Sequence, residues 1–149
     1  MRNSKMRHII GAVCFFSVLL AIFAACNYLL ASETTYTRVM LHEMYAEEEP
    51  VDMVFLGGSI TYEHFDPGIW SQTLGMNTFN LGSSAQTPDA SYYLMKEFLK
   101  TQKPEYCIFG LSTVSFMNLP EYNNPTKDFI LFDYMKPSFN KLLYGTHVF

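Results

Sequence analysis

The chain has 149 residues and a formal net charge of −4, room for about one domain of ordinary size. Arg2, Lys5 and Arg7 give the first ten residues +3 and leave −7 on the remainder, so the basic patch of a nucleic-acid binder is missing. Its three cysteines, Cys14, Cys26 and Cys107, show no CxxC spacing and no even-numbered framework, which argues against a zinc site or a disulfide scaffold.

Residues 1–8 form a basic flank, and residues 9–30 that follow contain no charge and only Ser17 and Asn27 as clearly polar side chains. About 20 such residues span a bilayer as a helix. The cations precede this run and acids follow it, so the positive-inside rule predicts a cytoplasmic N-terminus with the rest exported. Phe23-Ala24-Ala25-Cys26 is similar to a lipoprotein box, and a cleaved signal peptide is a further alternative. The apolar run continues through Leu29-Leu30, past that cysteine, and favours an uncleaved anchor whose partner is the lipid bilayer.

Residues 31–50 read as a juxtamembrane helix and linker. Tyr36, Val39, Met40, Met44 and Tyr45 recur at near-helical spacing, and Pro50 stops the pattern. Packing against the following domain explains this stripe more simply than a separate partner does. Glu47-Glu48-Glu49 is expected as a solvated charge run rather than a metal site.

The α/β domain is predicted over residues 51–149. Val51 to Leu56 is an apolar run that breaks at Gly57-Gly58-Ser59, the pattern of a buried parallel strand. Asp52 flanks that strand. Asp66-Pro67 is a helix start, Ile69, Trp70, Thr73 and Leu74 form its stripe, and Gly75 is its stop. A second strand, Asn77 to Leu81, breaks into Gly82-Ser83-Ser84. Pro88 opens a helix to about Thr101 with Tyr92, Met95, Phe98 and Leu99 on one face. Tyr106 to Leu111 reads as a third buried strand, carrying Cys107 and ending in Ser112-Thr113. Strands alternating with helices predict a parallel sheet with right-handed crossovers. From Met117 the pattern weakens among Pro120, Asn123-Asn124-Pro125 and Lys136-Pro137. Three strands are fewer than a doubly wound domain normally has, so the front part of a longer protein is expected.

Three strand ends would bring Ser59, Gly82-Ser83-Ser84 and Ser112-Thr113 to one sheet edge. That arrangement suits acyl transfer, in which a serine attacks an ester carbonyl and backbone N–H groups hold the developing oxyanion. Gly57-Gly58-Ser59 has neither the P-loop lysine nor the Rossmann glycine spacing, which disfavours a nucleotide-binding alternative.

Val54-Phe55-Leu56-Gly57-Gly58-Ser59-Ile60-Thr61 and Phe79-Asn80-Leu81-Gly82-Ser83-Ser84-Ala85-Gln86 together resemble the first two motifs of the SGNH (GDSL-like) hydrolase superfamily. The resemblance covers roughly residues 51–113 and is nearest to membrane-anchored bacterial members that acylate or deacylate cell-surface polymers. It implies a three-layer doubly wound parallel sheet, flavodoxin-like in kind and incomplete here. Ser59 would be the nucleophile and an oxyanion donor through its own N–H, Gly82 a second backbone donor, with no cofactor. The chain would be a single-pass protein of the bacterial cytoplasmic membrane, acting on an acylated envelope polymer or with a membrane acyl-transfer partner.

Three departures qualify the resemblance. Gly58 stands where the family most often has Asp. The third-motif asparagine has no clear counterpart, Asn118 falling late. The Asp-x-x-His that supplies the general base is missing, so the chain is expected to be nearly inactive as it stands. His64 and His147 are the candidate substitutes for that base, but a surface or loop-stabilising role for His64 and a frayed end for His147 are the simpler expectations; His8 at the membrane flank and His42 on the juxtamembrane helix are not candidates. The alternative function is a non-catalytic anchored component that binds a glycan or a partner.

Overall fold

The structure, a computed structural model, describes residues 2–30, 35–112 and 125–148. It comprises two compact units, residues 1–33 and 34–149. The first is a single helix, α1 (Arg2–Leu30). Its stretch Met6–Leu29 is 24 residues long, apolar and unburied, about 36 Å at the helical rise and enough to cross a bilayer or act as a signal anchor.

The second unit is mixed α/β. Its elements are α2 (Tyr36–Ala46), β1 (Met53–Gly57), α3 (Ser59–His64), α4 (Pro67–Leu74), β2 (Thr78–Asn80), α5 (Pro88–Phe98), β3 (Tyr106–Gly110), α6 (Pro125–Tyr134) and α7 (Phe139–Val148). The strands form one parallel sheet in the order β2-β1-β3. β1 is central and wholly buried, as its unbroken apolar run requires. The core joins Val54 and Leu56 of β1 to Met40, Leu41 and Met44 of α2, Leu94 and Phe98 of α5, Leu131 of α6 and Tyr144 of α7. Burying each such aliphatic chain contributes about 1.5–3 kcal/mol.

Several boundaries follow their local signals. The Asp66 carboxylate accepts from the Gly68 and Ile69 amides, Pro67 begins α4, and Gly75 closes it at φ 66°. Thr87 caps α5, accepting from the Ala90 amide, ahead of Pro88. Asp52 does flank β1: its carboxylate accepts from Asn77 N–H at 2.8 Å, and its carbonyl accepts from Glu105 and Tyr106.

Other expectations are corrected. α2 buries Thr37, Met40, Leu41 and Met44, while Tyr36 and Val39 are exposed; the inward face lies one position round the helix. α4 buries no residue, and its contact with the core is Trp70 against Phe55 and Phe65. α5 turns Ala90, Ser91, Leu94, Glu97 and Phe98 inward, leaving Tyr92 and Leu99 exposed. β3 and its Cys107 are exposed rather than buried, because β3 is an edge strand that no described element covers on both faces. Residues read as irregular form α6 and α7, with Pro125 at the start of α6.

Glu97 joins α5 to the turn between these helices. Its buried carboxylate accepts from Lys100 (2.7 Å), Ser138 (2.9 Å) and Asn140 (3.1 Å). Burial alone would raise its pKa, but these donors outweigh burial and hold it below the ordinary glutamate value.

At the other end of the sheet, the strand termini converge on Thr61, a buried residue. A Cβ on Gly57 or Gly110 would strike Thr61 Oγ1, and one on Gly82 would lie 3.1 Å from Thr61 Cβ. Gly57 also has φ +144° and Gly110 O 2.7 Å from the place of its missing Cβ.

Two outcomes are expected. Gly110→Ala destabilises by about 2 kcal/mol through overpacking; Thr61→Ala in the same chain recovers most of this and Thr61→Ser does not, whereas Gly57→Ala is rescued by neither. Urea unfolding midpoints check the series. Glu97→Gln costs about 1.5–3 kcal/mol at neutral pH. A lowered folded-state pKa places the wild-type advantage above the unfolded glutamate pKa and removes it as pH falls through the folded one. The gap between wild-type and Glu97→Gln midpoints therefore closes on acidification below about pH 4.

Candidate functional site

Ser59 is the first residue of α3, directly after the Gly58 N-cap that ends the β1 turn. Successive helical residues are about 100° apart, so with Thr61 turned into the sheet end, Ser59 faces the opposite way and is exposed. The amides of Ser59 and Ile60 occupy the first helical positions, where no intrahelical carbonyl reaches them.

The loop after β2 lies beside this turn. Ser83 N–H donates to Gly57 O at 3.1 Å, and Gln86 N and O lie within 4.0 Å of where a Gly58 Cβ would stand. Ser83 and Gln86 are buried and bonded to each other at 2.8 Å, and Gln86 Nε2 donates to Ser91 Oγ at 2.8 Å. Ser83 is thus a structural hydroxyl that fixes the loop. Ala85 within the loop sits at φ 53°, a left-handed conformation costing a non-glycine residue about 1–2 kcal/mol.

Gly82 is buried beneath the same loop, and its N–H donates to Asn80 Oδ1 at 2.8 Å. Asn80 is held from its other end, Nδ2 donating to Thr61 O (3.1 Å) and Phe65 O (2.8 Å). The amide proposed as second oxyanion donor therefore already has an acceptor. Nothing in the sequence pattern distinguished this Asn80 bond from a free turn amide.

The histidines are placed differently. His64 Nδ1 lies 3.0 Å from Ile60 O; with a carbonyl as acceptor that nitrogen carries the proton, and the ring stabilises its own helix. His147 Nε2 lies 3.6 Å from Asp89 Oδ1, joining α7 to the first turn of α5. Tyr62 stacks on Tyr36 with centroids 4.6 Å apart. Burial, followed by the neighbouring Glu63, holds its hydroxyl above the usual tyrosine value. Thr113 and Asn118 lie outside the described residues, while Ser112 is half-buried just past β3. Among the described residues no group of acids, histidines and cysteines forms a metal site.

Ala85→Gly relieves the left-handed strain and is expected to raise stability by about 1 kcal/mol, read as a higher urea midpoint. Compared with protein-family models, with curated proteins and with solved structures, the chain matches none.

Proposed function

We propose that the chain is part of an exported, membrane-anchored serine acyl esterase or O-acyltransferase of SGNH type, acting on acylated cell-envelope polymers. α1 is its bilayer anchor, with the N-terminus cytoplasmic and the α/β unit outside. The carrying observation is Ser59, exposed at the carboxyl end of the buried central strand with the Ser83–Gln86 loop fixed beside it. The strand order β2-β1-β3 supports the reading: it is how flavodoxin-like doubly wound sheets begin, and their ligands lie at the β1/β3 switch point.

In this reading Ser59 Oγ attacks the ester carbonyl and loses its proton to water, and its own N–H receives the oxyanion. Collapse then breaks the ester C–O bond, releasing the polymer's alcohol and leaving an acyl-serine for water or an acceptor hydroxyl to resolve. Gly82 N–H contributes only by sharing its hydrogen with Asn80 Oδ1. One lost donor costs about 2.7–4 kcal/mol of transition-state stabilisation. His64, bonded to Ile60 O, is not placed as the base, so attack by Ser59 is slow in this chain. The engaged Gly82 amide and the tied His64 favour a second reading, in which the same edge binds a glycan without turning it over.

A fluorophosphonate probe on the full-length chain tests the proposal. Slow, single-site labelling lost in Ser59→Ala supports the enzyme. Labelling as fast as that of a base-equipped serine esterase overturns the missing base. Absence of labelling, with retention on isolated cell-wall polymer, supports the binding reading instead.

A further inference from the structure

A second site lies between α2 and α6. Arg38, His42, Tyr45, Ala46, Tyr134 and Lys136 line a cavity of about 290 Å³, near the lower bound of about 300 Å³ for ordinary ligand pockets and suited to a small group. The lining holds two fixed cations and an imidazole, and no carboxylate.

Among the described residues no carboxylate pairs with either cation. The Arg38 guanidinium carbon lies 5.7 Å from the Tyr134 ring centroid and Lys136 Nζ lies 4.4 Å from that of Tyr45. A ring face orients a cation but accepts none of its in-plane N–H donors. Arg38 Nη1 is buried and, among the described residues, has no hydrogen-bond partner. A buried charged donor left unpaired is costly and calls for an acceptor.

The walls are held in place. Lys136 N–H donates to Tyr45 Oη at 3.1 Å, tying the chain after α6 to α2. Burial, with Glu97 opposite, pushes the Tyr45 hydroxyl up to about 12 despite the Lys136 amide, so it stays a neutral donor. Glu97 approaches this tyrosine from α5 and is occupied by Lys100, Ser138 and Asn140.

We propose that the α2–α6 pocket is a phosphate-binding site, holding a single phosphate group carried on a lipid headgroup or free in solution. The planar guanidinium fork matches two phosphate oxygens, and the ammonium supplies a point charge beside it. A polyanion is disfavoured by the −7 carried by the chain beyond its first ten residues and by Glu47-Glu48-Glu49 directly after α2. A headgroup is one natural source, since α2 begins six residues after α1 ends. The site is independent of any chemistry at Ser59.

Full-length protein in dodecyl maltoside micelles, which carry no phosphate, titrated calorimetrically with inorganic phosphate against chloride at equal ionic strength, tests this. Saturable phosphate binding is expected, weakened about tenfold or more in Arg38→Gln and in Lys136→Gln, the loss of one charge-assisted hydrogen bond each. Lys136 is exposed, so its variant separates lost binding from lost folding. Phosphatidylglycerol added to the micelles and competing with inorganic phosphate identifies the headgroup as the source, and undiminished binding identifies the free anion. A response no greater than with chloride, or two variants that bind as the wild type does, overturns the proposal.

Discussion

The closeness of three strand ends around one threonine governs the geometry of this protein's candidate edge. Thr61 is buried where Gly57, Gly82 and Gly110 meet, and at each glycine a side chain would crowd it. Its hydroxyl donates to Leu56 O at 3.4 Å, a weak bond, so shape rather than hydrogen bonding does most of the positioning. Because Thr61 points in, Ser59 two residues earlier points out. Exposure of that serine is a packing consequence before it is a chemical one.

The second constraint is polar and lies along α5. At its start, Thr87 receives the Ala90 amide, and both Thr87 and Tyr144 donate to Asp128. Near its end, Glu97 gathers Ser138 and Asn140. Satisfied buried polar groups of this kind specify one arrangement, because each alternative strands a donor or acceptor. α6 and α7 are short and irregular in sequence, and these bonds together with Leu131 and Tyr144 dock them.

What could be read from the sequence was whatever rests on local stereochemistry. The apolar β1 run, the Asp66-Pro67 start, the Gly75 stop and the Pro88 start depend on a few neighbouring residues, and they stand where expected. Inward faces were less legible, since aromatic residues such as Tyr36 and Tyr92 satisfy a helical stripe equally well when they lie on the rim. α6 and α7 escaped notice because Pro125 and Pro137 read as breakers, although Pro125 opens a helix. At the site, Ser59 and its glycines were visible as a turn. The bond from Gly82 to Asn80 and the tie from His64 to Ile60 were not, since both depend on side-chain direction rather than on residue type.

β3 has a consequence of its own. Tyr106, Ile108 and Phe109 stand exposed on a strand that carries neither charge nor proline, and among the described residues no strand pairs with its outer edge. Those are the features that invite further strands to add, since every unpaired N–H and C=O along the edge is a docking point for another extended backbone. Among the described residues that edge is open, and the strand itself carries no charged side chain that would discourage such pairing.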